Sequence, residues 1–346
     1  MNKFTITNKE LKSPLSIASQ FAPVSSPMPI LTNIIFGNGY ILAGDGDAQI
    51  KIDAPVSGNF AAPADKLKKI TSTFSSDAEL SFDVKDKLFV KSGKSKLSVP
   101  ILPSDHFPSP KTEGDCISIV LKQEDIKSHI QNVIHAMGVN NVRVWMNSVL
   151  FKDGDVSATN GGELAFSSQE TDQKFEFAIP AKYAKHVLNL MSVGYVNIDV
   201  YENKIIFNLS GIEFTCPRLS EKCPDMTKAI PNIQNEIVHF LKADFMAASA
   251  KAAISANKFM SALVTVKENE MTIKCMDFDG ESTDVLDVQY DGGPFQFGYN
   301  IEQMRAAVNA IDSEVINLHI GGHVTGTAMF MPENGNQKCV ITPMRI

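Results

Sequence analysis

The chain has 346 residues, a net charge of −7, 44% hydrophobic and 21% charged residues. That is the composition of an ordinary globular protein, and no apolar run reaches the roughly 20 residues a membrane helix needs. The five cysteines, 116, 216, 223, 275 and 339, form no CxxC pair and read as free thiols of a reducing cytoplasm.

The N-terminus, MNKFTITNKEL, alternates like a strand and contains no signal-peptide apolar core. A strand is expected at 3–7, then a helix over 8–21 with Asn8 as its N-cap and Pro14 inside it. Alternating strands follow at 30–36, 40–43, 49–52 and 58–61, with GNG at 37–39 as a hairpin turn. A helix at 63–74 precedes strands near 78–84, 87–91 and 95–102, and residues 103–115 read as a Pro/Ser/acid-rich linker.

The same order returns. Strand 117–121 leads to helix 122–138, whose buried stripe is Ile126, Ile130, Val133, Ile134 and Met137. Strands 142–151, 155–158, 164–167 and 174–179 precede a helix beginning at Pro180, then strands 195–200, 204–209 and 212–216. After a second linker, 223–236, come strand 237–241, helix 242–256, hairpin strands from 259 to 290 and strand 294–299. Helix 300–311 and strands 314–320, 324–331 and 337–343 complete the third round.

Three windows show the repeat directly: FAAPADKLKKITSTF (60–74), FAIPAKYAKHVLNLM (177–191) and FGYNIEQMRAAVNAI (297–311). Their apolar faces are Leu67, Ile70 and Phe74; Ala184, Val187, Leu188 and Met191; and Met304, Ala307, Val308 and Ile311. Each carries a cation at the matching outward position: Lys68, Lys185 and Arg305. The spacing predicts domains at 1–114, 115–234 and 235–346, each with antiparallel sheets carrying two helices on one side. The class is α+β, because helices and strands do not alternate one for one.

The six helix windows hold twelve Lys and Arg against six Asp and Glu, a net +6, which leaves −13 on the rest of the chain. If the helices share a face, that face attracts a polyanion through phosphate contacts, without reading sequence. No catalytic set is expected. SGKS at 92–95 lacks the phosphate-loop glycine, since residue 88 is Leu88, and reads as a hairpin turn. His319 and His323 flank Gly-Gly and read as a turn, not a zinc pair, and His129 and His135 are six apart. The Asp-rich stretches 45–53 and 277–280 lack a full calcium ligand set. Neither a metal nor a cofactor is expected, and the chain reads as a binding protein.

MPILTNIIF (28–36), KLFVKSGKSKLSVPILPSDHFP (87–108), VRVWMNSVLF (142–151), SATNGGELAF (157–166), AAISANKF (252–259), DVLDVQY (284–290) and the terminal VITPMRI (340–346) resemble the bacterial sliding clamp, the beta subunit of DNA polymerase III. The resemblance implies three clamp domains per subunit and a head-to-tail homodimer closing a six-domain ring around duplex DNA. Helices would line the hole, bringing Lys12, Lys68, Lys69 and Lys127 towards DNA together with Lys182, Lys185, Lys251 and Arg305. An ATP-driven loader would open the ring, and polymerase and loader would dock through short linear peptides. By position, the peptide pocket would use Met146, Thr159, Gly161, Leu164, Pro224 and Lys228. Phe259, Val324, Val340, Ile341, Pro343 and Met344 would complete it.

The subunit interface would join the edge at 94–99 to the partner's third domain. Lys94 and Lys96 in the basic KSGKSK (91–96) would meet Asp279 and Glu281 in the acidic DFDGESTD (277–284), with Leu97 and Val99 packing near Ile254. The chain departs from the family at several points. Asn160-Gly161-Gly162-Glu163-Leu164 stands where the family has Asp-Gly-His-Arg-Leu, Lys228 and Cys223 replace an arginine and a phenylalanine, and Ser25 replaces a basic loop residue. The Arg-to-Glu inversion predicts an altered partner peptide. A clamp-shaped scaffold or decoy that binds replication proteins without encircling DNA is the alternative.

Overall fold

A computed structural model describes residues 3–221, 223–232, 237–321 and 326–346. The chain begins with β1 (Lys3–Thr7), α1 (Asn8–Ala18), β2 (Asn33–Phe36), β3 (Tyr40–Gly44), β4 (Gln49–Asp53) and β5 (Phe60–Pro63). It continues through α2 (Ala64–Thr73), β6 (Glu79–Val84), β7 (Leu88–Ser92), β8 (Ser95–Val99) and β9 (Leu102–Pro103). Next come β10 (Ile117–Lys122), α3 (Gln123–Val133), β11 (Ser148–Lys152), β12 (Asp155–Thr159), β13 (Glu163–Ser168) and β14 (Glu176–Pro180). Then α4 (Ala181–Leu190), β15 (Tyr195–Val200), β16 (Lys204–Leu209) and β17 (Ile212–Pro217) follow. The last part holds β18 (Ile237–Leu241), α5 (Lys242–Ala252), β19 (Ser261–Lys267), β20 (Glu270–Asp277) and β21 (Gly280–Asp287). It ends with β22 (Phe295–Asn300), α6 (Ile301–Ala310), β23 (Val315–Ile320), β24 (Ala328–Pro332) and β25 (Lys338–Ile341).

Two compact units result: Met1–Leu121 with Tyr195–Arg218, and Lys122–Gly194 with Leu219–Ile346. The first holds a sheet of order β1-β6-β7-β8 and another of order β10-β15-β16-β17-β4-β3-β2-β5-β9. The second holds β14-β11-β12-β13-β25-β24-β23-β18 and β21-β20-β19-β22. Neighbouring strands run antiparallel, as in β13–β25 and β17–β4, so the α+β reading holds. Strands from two consecutive repeats join in each large sheet, which is why the compact units number two.

Local sequence accounts for the helix starts, with one correction. Thr7, not Asn8, caps α1: its hydroxyl accepts from the Glu10 N–H while the Glu10 carboxylate accepts from the Thr7 N–H, a capping box. The Thr7 hydrogen bonds hold the Glu10 carboxyl below its ordinary range. Asn8 is buried and its amide donates to the carbonyls of Thr71 and Phe74, which ties the start of α1 to the end of α2. The apolar faces bury as the period demands: Leu67 and Ile70 on α2, Ala184 and Val187 on α4, Met304, Ala307 and Val308 on α6. Tyr183 joins the α4 face, and Leu188 is only half-buried.

The strands expected at 30–36 and 142–151 begin instead as 3-10 turns, Pro29–Thr32 and Val144–Asn147. Both turns are apolar runs ending in Thr or Asn, whose side chains serve the turn. Thr32 donates to the Pro29 carbonyl, and Asn147 donates to that of Asn141. The helices expected to 138 and 256 likewise end early in 3-10 turns, Ile134–Ala136 and Ala253–Ser255. His323 and residues 324–325 of the strand expected at 324–331 lie outside the described residues.

The 103–115 linker is held down, not loose. Lys204, buried at the start of β16, donates from Nζ to the Pro110 carbonyl at 2.9 Å. Asn203 Nδ2 donates to the Lys111 carbonyl, and the Glu202 N–H donates to that of Glu113. Burial lowers the Lys204 ammonium's pKa, so the charge is retained at a cost that the carbonyl offsets. The variant Lys204→Met keeps the stem and removes the donor, at a cost of about 2 kcal/mol. Limited proteolysis is expected to cut it within 105–115 several times faster than the native chain.

Candidate functional site

In the second unit β13 pairs with β25, so Leu164 lies opposite Val340 and Glu163 opposite Ile341. Strand side chains alternate between faces, which places Leu164 and Val340 on one face and Glu163, Ile341 and Cys339 on the other. On the Leu164 face a buried cluster forms from Leu150, Leu164, Ala178, Met226, Met329 and Val340. Trp145, Leu219, Cys223, Ile230 and Met331 pack partly buried against it. The methionines give this surface soft, adaptable side chains of the kind that accept more than one occupant.

The turn after β12 forms the rim. Gly161 takes φ +96°, a left-handed conformation that favours glycine, and a Cβ there would lie 3.7 Å from Met146 Cε. Thr159 accepts from the Gly161 N–H and Asn160 Oδ1 accepts from the N–H groups of Gly162 and Glu163. The Gly162 carbonyl accepts from Thr342 N at 2.9 Å and Thr342 Oγ1 at 3.0 Å, which fastens the chain leaving β25.

The expected pocket residues therefore divide. Met146, Thr159, Gly161, Leu164 and Val340 come together, and Pro224 and Lys228 flank Met226 on an exposed turn where Lys228 lies 4.0 Å from Asp225. The Thr227 hydrogen bonds, with Lys228 nearby, keep the Asp225 carboxyl below its ordinary range. Ile341 is corrected: it is fully buried on the opposite face and offers a ligand nothing. Pro343 and Met344 are half-buried, and the Met344 N–H donates to the Gly298 carbonyl, so the tail follows β22. Phe259 is exposed beneath the Lys258 ammonium and is not part of the buried cluster. Val324 lies outside the described residues. Trp145 and Met329 were missed. Their signal was the apolar run around each, which reads equally well as plain core.

Among the helix cations Lys12, Lys68, Lys69, Lys182 and Lys185 are exposed, and Lys127 is half-buried. Lys69 sits 3.7 Å from Asp65, one turn away. Lys251 is exposed but engaged: its Nζ meets Asp284 at 2.8 Å and holds that carboxyl below its usual range. Arg305 is corrected as a freely displayed cation, because it is half-buried and its Nε is buried without a hydrogen bond.

Each four-stranded sheet ends in an unpaired edge. β8 closes one, with Ser95 to Ser98 exposed, and β21 closes the other, with Gly280, Glu281 and Thr283 exposed. Lys94, Lys96 and Asp279 are exposed, and Glu281 also pairs with Lys274 at 2.6 Å. Leu97 is partly exposed and Ile254 is 81% exposed, while Val99 is corrected: it is buried in its own sheet's core. Phe278, at the tip of the β20–β21 hairpin, is 98% exposed. The sequence signal was an aromatic between two aspartates in a turn.

Comparison with known proteins completes the picture. Residues 227–345 match the family model for the DNA polymerase III beta subunit, C-terminal domain. The beta sliding clamp of Salmonella typhimurium is 24% identical over 365 residues, covering 99% of this chain and all of the relative, and that of Escherichia coli K12 is also 24% identical. The chain is similar to beta sliding clamps over its whole length. A solved clamp of Pseudomonas aeruginosa superposes with a TM-score of 0.93 at 22% identity, covering 100% of both chains. Another structure from that organism is a sliding clamp bound to griselimycin, with a TM-score of 0.93 at 21% identity. Compared with these clamps the chain keeps the fold from end to end while most side chains differ.

Proposed function

We propose that the chain is a DNA sliding clamp, a ring-shaped homodimer that encircles duplex DNA and tethers a replicative polymerase. The observation that carries this reading is the likeness to clamps over the whole of both chains. The exposed lysines of α2 and α4 support it, since the rest of the chain is strongly acidic. In this reading the repeats 1–114, 115–234 and 235–346 are three domains of one subunit. The β8 edge with Lys94, Lys96 and Leu97 pairs with the partner's β21 edge, which carries Glu281 and is flanked by Asp279 in the hairpin turn and Ile254 on the 3-10 turn after α5. Holding DNA by topology requires no catalysis, so the protein is a cytoplasmic binding protein and not an enzyme. Adding it with polymerase III core and clamp loader to a primed circle should lengthen the product made per binding event. Unchanged product length with a loader that opens it contradicts the reading.

The cluster around Leu164 and Met226 is proposed as the dock for linear peptides of polymerase and loader. Griselimycin is a ready probe, and Trp145, the sole tryptophan, reports on the cluster. Griselimycin is expected to shift Trp145 emission, and Leu164→Asp to weaken binding by about 100-fold, because it places a charge in the apolar floor. Emission that stays unchanged on titration counts against the dock. One observation favours the scaffold alternative: in the third repeat Lys251 of α5 is paired with Asp284 and Arg305 of α6 is half-buried, so neither helix cation is freely displayed there.

A further inference from the structure

Glu163 is only 3% exposed, and its carboxylate lies on the helix-facing side of the sheet, one residue before Leu164 on the cluster side. A buried carboxylate costs several kcal/mol unless it is paired. Its Oε1 lies 3.2 Å from His135 Nε2, on the 3-10 turn Ile134–Ala136 that follows α3, and the two side chains are 2% and 13% exposed. Asn160 Nδ2 donates to its other oxygen at 3.4 Å. Glu163 Oε1 and His135 Nδ1 make no hydrogen bond, so the 3.2 Å approach of Oε1 to Nε2 is the contact that joins the two side chains.

The surroundings offer Glu163 no Lys or Arg at ion-pair distance among the described residues. From β25 comes Cys339, whose Sγ is 3.9 Å from His135 Nε2; burial, with the Glu163 charge adding, pushes its thiol up, so it stays neutral. From α3 comes His129, whose ring nitrogens are engaged by Ser167 and Gln169 at 2.8 and 2.9 Å. α6 also packs against the His135 turn and brings Arg305, half-buried, and Glu302, exposed. β12, which packs there too, carries Asp155 at its far end.

We infer that Glu163 and His135 are a positioning pair for the peptide dock, an assignment that rests in part on the dock proposed above. The turn 159–163 is closed on itself by Thr159 and Asn160, and Glu163 is the residue that anchors it through the sheet to the helix layer. Leu164 is the next residue along the strand, so its height on the cluster face follows the position of Glu163. The inverted charge in the Asn160–Leu164 stretch accordingly has its partner inside the protein. It acts on a bound peptide through the rim and not by direct contact.

The test uses the full chain with His135→Gln, Glu163→Gln and the double variant. It reads amide hydrogen exchange at 161–164 and griselimycin affinity from Trp145 emission, well below the melting temperature. His135→Gln replaces the fixed imidazole beside the carboxylate with a flexible amide and is expected to speed exchange and weaken affinity by roughly tenfold or more. Glu163→Gln alone should do less, and in the double variant both readouts should return to within about threefold of the native chain. Native exchange and affinity in His135→Gln overturn the assignment, as do additive losses in the double variant. A global loss of stability alone would lower the melting temperature of the variants and leave affinity below it unmoved. If griselimycin fails to bind the native chain, the dock reading falls, and exchange at 161–164 still decides the pair.

Discussion

Replacing Ile254 and Phe278 by Asp is expected to convert the protein to a monomer at micromolar concentration. Both side chains are almost wholly exposed in the subunit, at 81% and 98%, so the substitutions cost the fold little. Burying an isoleucine and a phenylalanine against a partner contributes about 4 kcal/mol together, and two carboxylates in their place add a desolvation cost. A weakening of about 1000-fold or more is the expected outcome. Sedimentation equilibrium reads it directly. A dimer that persists unchanged would place the interface elsewhere, and a native chain that sediments as a monomer would remove the ring altogether.

The second large effect concerns the helices. Converting Lys68, Lys69, Lys182 and Lys185 to Glu is expected to abolish retention on DNA while leaving the circular dichroism spectrum and dimer mass unchanged. All four are exposed, and neutralised phosphates contribute a salt dependence of about 0.9 per contact in log K. If each native lysine meets a phosphate, the slope of log K against log salt should fall by about 3 to 4 per subunit. Arg305 is left out because a carboxylate at a site whose Nε is already buried would test folding instead. Full retention by the quadruple variant would show that these helices do not face DNA.

The threefold rhythm was legible because it is local. Helical periodicity, the Pro-led helix starts and the turn glycines each act within a few residues, and they marked most of the elements that the structure contains. The apolar runs 30–36 and 142–151 misled, since a 3-10 turn and a strand bury the same residue types. Asn8 looked like a cap because caps are short polar residues, but Thr7 sits one residue nearer the strand and completes the box with Glu10. What the sequence hid was long-range. Alternation along β8 and β25 marks two faces without saying which is inside, so Val99 and Ile341 read as surface candidates although their own cores bury them. The pairing of Lys251 with Asp284 spans 33 positions, and that of His135 with Glu163 joins a turn to a strand across the sheet. Neither leaves a local signature.

The most direct test of encirclement is retention on DNA circles. The protein would be loaded by a clamp loader onto nicked circular plasmid, isolated by size filtration, and followed after the plasmid is linearised. A sliding ring predicts stable retention on the circle and loss within minutes of cutting, because the duplex ends let it slide off. Equal retention on circular and linear DNA would contradict encirclement and mark the basic helices as an ordinary electrostatic surface.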